Sequence, residues 1–88
     1  MAWDDIRYFL ALARGGSLSA AARALQVEHS TVARRVEHLE ARLGVRLFDR
    51  LARGWALTGE GAALRERAEA VELEVLALER AAAGVESL

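Results

Sequence analysis

Donor-rich side chains crowd one short stretch of the chain. His29, Ser30, Thr31, Arg34 and Arg35 all fall within HSTVARRVEHLEARL (His29 to Leu43), and a second basic pair, Arg50 and Arg53, follows in VRLFDRLARGWALT. Hydroxyls, an imidazole and guanidiniums are short or planar donors, which suits base edges and phosphates. Arg34 can bridge the two acceptors on a guanine edge, while Arg35 is placed for a phosphate. Bond-making chemistry has less to work with. His29, His38, Glu37 and Glu40 are the material for a metal or acid–base site. However, Glu37 and His38 fall on different sides of one helix, and no glycine-rich phosphate loop or nucleophile motif accompanies them. An enzyme, a metal and a cofactor are therefore not expected.

Composition agrees with a nucleic-acid module. The chain has 88 residues, enough for one modest core, and contains neither cysteine nor proline. That excludes disulfides and thiolate sites and favours unbroken helices. No apolar run approaches the ~20 residues of a membrane span and MAWDDIRYF is no signal peptide, so the expectation is a cytoplasmic protein without membrane contact. The net charge of -1 conceals an asymmetry: residues 1–58 hold nine arginines against six acids, and residues 59–88 three arginines against seven acids. A basic front and an acidic back fit a DNA-binding part joined to one that does not touch DNA.

The elements that would position the donors can be read in order. Trp3, Ile6, Phe9, Leu10 and Ala13 have helical spacing, with Asp4 and Asp5 at the start, Arg14 at the end and Gly15-Gly16 as the stop. Trp3 reads as a core anchor, with a functional aromatic as the alternative. Leu18 to Leu25 is a short helix with Ser19 as N-cap and Ala21, Ala22 and Leu25 as its buried face. Gln26-Val27 begins a turn, and Val27 plugs the space between helices. A second helix spans His29 to Leu43 and ends at Gly44. Val32, Val36, Leu39 and Leu43 form its apolar stripe, and Ser30, Arg34, Glu37 and Ala41 lie opposite. Taken alone, that outer face is equally an ordinary solvated surface with ion pairs. The short helix and turn before it tilt the reading towards a helix-turn-helix.

Val45 to Phe48 and Trp55 to Leu57 are read as a hairpin turning through Leu51-Ala52-Arg53-Gly54, with Phe48, Trp55 and Leu57 inside and Arg50 and Arg53 near the tip. Such a wing can reach a minor groove or its phosphates. Thr58 is an N-cap candidate, and a long helix runs to about Ala83. Along it Leu64, Ala68, Val71, Val75, Leu78, Ala82 and Val85 repeat as a heptad seam, widened by Leu73 and Leu76. The seam predicts a homodimer. The alternative is that the helix folds back on its own domain, at least over its first half.

The chain resembles the N-terminal DNA-binding domain of LysR-type transcriptional regulators. The likeness rests on Ser17-Leu18-Ser19, Ala21-Ala22, Leu39-Glu40, Leu43-Gly44, Leu47-Phe48-Asp49-Arg50, and Leu57-Thr58 with Gly61. The resemblance implies a mainly α winged helix-turn-helix (three helices plus a short β-hairpin wing) over residues 1–58, followed by a linker and dimerisation helix over 59–88. It also implies that linker helices pair antiparallel, so two recognition helices address an interrupted palindrome in double-stranded promoter DNA. Full-length members can assemble to tetramers. By position, His29, Ser30, Thr31, Ala33 and Arg34 face bases and nearby backbone, and Arg53 is the wing contact. The effector-binding domain that normally follows is absent from this sequence, so no small-molecule effector is expected for it. Glu28-His29-Ser30 stands where the family often has Ser-Gln-Pro, and Ala33 where it often has Ser. Base preference there does not carry over, and either Glu28 or Ser30 is open as the helix cap.

Overall fold

The computed structural model describes residues 1–86. Its elements are α1 (Trp3–Gly15), α2 (Leu18–Leu25), α3 (His29–Leu43), β1 (Phe48–Leu51), β2 (Gly54–Leu57) and α4 (Gly59–Glu86). The first three helices and the antiparallel hairpin form a winged helix-turn-helix head, and α4 projects from it to give extents of 52 × 25 × 18 Å.

α1 is the central pillar, touching α2, α3, α4 and β2. Because neighbours surround it, its buried surface is wider than one stripe and takes in Tyr8, Phe9, Leu10 and Leu12. Trp3 is not the expected anchor. It is only half-buried at the helix's first residue, outside the hydrophobic cluster, since the packing partners lie deeper along α1. Ser17, not Ser19, caps α2. The extended Ser17 backbone turns its Oγ to accept the Ala20 N–H at 3.1 Å, so Ser19 lies exposed in the first turn. Leu18 still packs on the core, and buried Ala21 and Ala22 allow α2 to lie close.

α3 starts at His29, with Glu28 in the cap position but no side-chain cap bond, and Ser30 sits inside the helix. Val32, Val36 and Leu39 are buried as the spacing predicts. Leu43 is exposed, because the core ends a turn before the helix does. Val27 is partly buried and packs against the core.

The second strand lies where the sequence reading puts it, to within one residue, but the first strand begins three residues later. Phe48 pairs with Leu57 and Leu51 with Gly54, leaving a two-residue turn at Ala52-Arg53. Val45 to Leu47 are not strand, because side chains and the start of α4 claim the backbone there. Glu40 accepts the Leu47 N–H at 2.8 Å, Thr58 Oγ1 donates to the Arg46 carbonyl at 2.6 Å, and the Thr58 N–H reaches the Leu47 carbonyl at 3.0 Å. Gly54, at φ 146°, lets the Trp55 N–H reach the Gly16 carbonyl at 3.1 Å, where a Cβ on Gly54 would lie 2.6 Å from that oxygen. Phe48 fastens the hairpin to α1 through an edge-on contact with Phe9 at 5.7 Å between ring centroids.

Thr58 caps α4, its Oγ1 accepting the Gly61 N–H at 2.9 Å. Gly61 is buried so tightly that a Cβ would overlap the Leu47 carbonyl. Leu64 and Ala68 then pack on the head, so the first part of the heptad seam does fold back. Val71, Leu73, Leu76, Leu78 and Val85 are exposed, and Val75 is half-buried. Residues 87 and 88 of the expected linker segment lie outside the described residues.

Candidate nucleic-acid interface

The outer row of α3 is open over its first half. His29, Ser30 and Arg34 are exposed, and Thr31 and Ala33 are half-exposed on its flanks. Among the described residues Arg34 has no carboxylate or ring partner, so its guanidinium is available. Its neighbour Arg35 is held differently. Nη1 of Arg35 donates to Asp5 Oδ1 at 3.3 Å, and its guanidinium lies 5.6 Å from the centre of the Tyr8 ring. Asp5 is 95 % buried and also accepts the Ala2 N–H at 3.3 Å. Arg35 therefore ties the middle of α3 to α1 while keeping a partly exposed face. Arg34, Arg35 and His38 line one open hollow with Met1, Ala2 and Asp5. A buried carboxylate satisfied by one Arg and one backbone N–H fixes a helix more rigidly than an exposed pair does.

The row continues onto the wing. Ser30, Arg34 and Glu37 follow each other along α3 at four- and three-residue spacing. Glu37 accepts from Arg50 at 3.3 Å, so β1 lies beside the same face. Arg50 also donates to Glu40 at 3.0 Å and stacks 4.3 Å above the ring centre of its cross-strand partner Trp55. It lies one pair from the turn, near the hairpin tip as expected, and there it brackets the wing to the helix. Strand alternation explains this, because Arg50 lies two residues from buried Phe48 and so shares its inward face. Arg53 occupies the turn itself, exposed and without a carboxylate partner among the described residues.

Two residues outside the expected set organise this surface. Glu40, largely buried, accepts the N–H groups of Leu47 and Phe48 and the Arg50 guanidinium. Asp5 does the corresponding work at the middle of α3, through Arg35. In sequence Asp5 is indistinguishable from a helix-dipole acid and Glu40 from a solvated one. The Leu39-Glu40 and Asp49-Arg50 pairs within the recognised pattern were the available hint. Among the described residues no three or more His, Asp or Glu side chains converge as metal ligands would. Nor, among the described residues, is any helix long and apolar enough to cross a membrane.

Comparisons with known proteins cover the head and, for solved structures, nearly the whole chain. The family model described as "Bacterial regulatory helix-turn-helix protein, lysR family" matches residues 3–62. The chain is 47% identical over 68 residues to the HTH-type transcriptional regulator TfdS of Cupriavidus pinatubonensis, covering 77% of this chain and 23% of that protein. It is 41% identical over 68 residues to ClcR of Pseudomonas putida, again covering 77% and 23%. The chain thus spans less than a quarter of the length of these curated relatives. Among solved structures, the CbnR_DBD–DNA complex superposes with a TM-score of 0.86 at 37% identity, over 97% of this chain and 99% of that one. The complex of BenM_DBD with catB site 1 DNA gives 0.94 at 26% identity, over 100% and 99%.

Proposed function

The chain belongs to the lysR family of bacterial regulatory helix-turn-helix proteins, and from that premise we propose that it binds double-stranded promoter DNA sequence-specifically as a dimer and so regulates transcription. The observation that carries the reading is the open row of α3, where Ser30 and Arg34 are exposed and Arg34 is unpaired on a helix anchored from behind. Likeness to DNA-bound domains of CbnR and BenM supports it.

In this reading residues 1–58 are the reading head and residues 59–88 the linker. α3 enters the major groove with His29, Ser30, Thr31, Ala33 and Arg34 towards base edges and nearby backbone. Arg53 reaches the minor groove or its phosphates from the wing tip. Arg35 and Arg50 serve first as braces, each adding a backbone contact through the part of its guanidinium left exposed. Two heads are joined through the largely exposed seam of Val71, Val75, Leu78 and Ala82, with Leu64 and Ala68 seating each linker on its own head, and they address two half-sites of an interrupted palindrome.

The test is a titration of labelled promoter fragments across salt for wild type and Arg34→Ala. Specific binding should fall by about 1–3 kcal/mol on that change, with relaxed preference at one base position. Weak binding that is the same for both proteins and for all fragments would overturn the reading.

A further inference from the structure

α4 is held to the head in two ways. Over its first turns Gly61, Leu64 and Ala68 are packed into the core, a contact that is apolar and continuous. One turn beyond Ala68 the fastening changes character. Arg14, at the C-terminal end of α1, grips Glu72 with both terminal nitrogens, at 3.0 Å to Oε2 and 2.7 Å to Oε1, and lies 3.8 Å from Glu69. No ion pair among the described residues ties the head to α4 farther along than Glu72. The bidentate fork matches the carboxylate plane, so it constrains direction as well as distance.

Lever geometry says what this clamp controls. From Gly61 to Ala68 the anchored length is about 10 Å, and including Glu72 lengthens it to about 16 Å. The overhang to Val85 is about 26 Å from Ala68 but about 20 Å from Glu72. Equal slack at the anchors is therefore magnified about 2.5-fold at the tip without the clamp and about 1.2-fold with it. Through the two-fold pairing of a dimer that swing becomes uncertainty in the separation of the two heads.

We propose that the Arg14–Glu72 clamp is the positioning device that sets the head-to-head distance, and hence the half-site spacing, preferred by the dimer. The proposal rests on the dimeric DNA-binding reading above. It separates two properties: α3 determines which bases are read, and Arg14 with Glu72 determines how far apart the two readings must lie.

The experiment has two arms, applied to wild type, Glu72→Ala, Arg14→Ala and the charge-swapped double variant Arg14→Glu/Glu72→Arg. In the first, binding is measured to a single half-site and to paired half-sites with graded spacers. In the second, spin labels are placed through Ser19→Cys on the head and Glu79→Cys on the overhang, which the cysteine-free chain makes unambiguous. Dilution with unlabelled protein makes the measured distances intramolecular. The single variants should keep the single-site base preference, lose the preference for one spacer, and broaden the head-to-overhang distance distribution about twofold. The swap should restore both. A wild type with no spacing optimum would remove the dimer reading and this inference with it. A wild-type optimum that Glu72→Ala leaves in place overturns the inference alone, whether or not the distance distribution broadens. Failure of the swap to restore a lost optimum would likewise overturn it, because the loss would then not come from the ion pair.

Discussion

Glu40 and Glu37 both hold Arg50, yet their removal should have very different consequences. Glu40 is 11% exposed and Glu37 58% exposed. Glu40→Ala deletes the acceptor for the Leu47 N–H at 2.8 Å, the Phe48 N–H at 3.3 Å and Arg50 at 3.0 Å. The first bond is short and charge-assisted; the second is at the long edge of useful geometry. Leu47 and Phe48 are fully buried, so water is poorly placed to replace the carboxylate at their N–H groups. A charged hydrogen bond contributes about 1.5–3 kcal/mol, and a buried donor left unpaired costs about 1–3 kcal/mol. Since these contributions overlap, about 2–4 kcal/mol of destabilisation is expected for Glu40→Ala. Glu40→Gln keeps an acceptor and loses the charge, so about 1 kcal/mol is expected. Glu37→Ala removes an exposed pair and should cost no more than about 1 kcal/mol. In a chain of this size Glu40→Ala then lowers Tm by about 10–25 °C. Circular dichroism melts at fixed protein concentration measure it, the concentration being held because association shifts Tm. If Glu40→Ala melted within about 0.5 kcal/mol of Glu37→Ala, the reasoning that Glu40 is the structural bracket of the wing would be refuted.

Other substitutions separate the remaining roles. Arg53→Ala should weaken binding to all sequences alike and reduce the salt slope by about one unit, in contrast to the base-selective loss for Arg34→Ala. An altered base preference equal to that of Arg34→Ala would contradict the division of labour. Leu78→Asp alters a side chain that is 68% exposed on the single chain. It should leave the monomer's helicity intact and abolish the dimer in sedimentation, and a surviving dimer would place the interface elsewhere. The hydrogen bond from Arg14, opposed by partial desolvation and aided by its charge, holds Glu72 below the usual carboxylate range. A depressed folded-state value means the clamp's stabilisation is present above the unfolded value and is lost as pH falls through the folded one. An NMR titration should follow that shift, and Arg14→Ala should abolish it. Titration of Glu72 at the ordinary carboxylate value in wild type would disprove the clamp.

Much of the head was legible because its determinants are local. The apolar spacing of α3, the stops at Gly16 and Gly44, the Gln26-Val27 turn and the Thr58 cap are each written within a few residues. The errors arose where distant groups compete for the same backbone. Ser17 and Ser19 are equivalent as sequence signals, and only the turn after Gly16 decides which hydroxyl faces the free N–H groups. Val45 to Leu47 look like strand, but Glu40 and Thr58 take their hydrogen bonds first. With the first strand starting three residues later than expected, Arg50 falls inside it, one pair from the turn and in contact with Glu37, Glu40 and Trp55. The Asp5–Arg35 and Arg14–Glu72 pairs join residues 30 and 58 positions apart, and no periodicity reports such a contact. Among the residues expected at the interface, the structure leaves Arg34 and Arg53 open and engages Arg35 and Arg50 as braces.

The central claim is that α3 reads DNA and that the pairing of two chains sets the geometry of the site. Selection of bound duplexes from a random pool, run in parallel on wild type and Arg34→Ala, tests it most directly. Wild type should enrich two inverted half-sites at a fixed separation, and Arg34→Ala should retain the separation while losing one base preference in each half. Enrichment of no sequence, of a single unpaired site, or of the same motif by both proteins would contradict it.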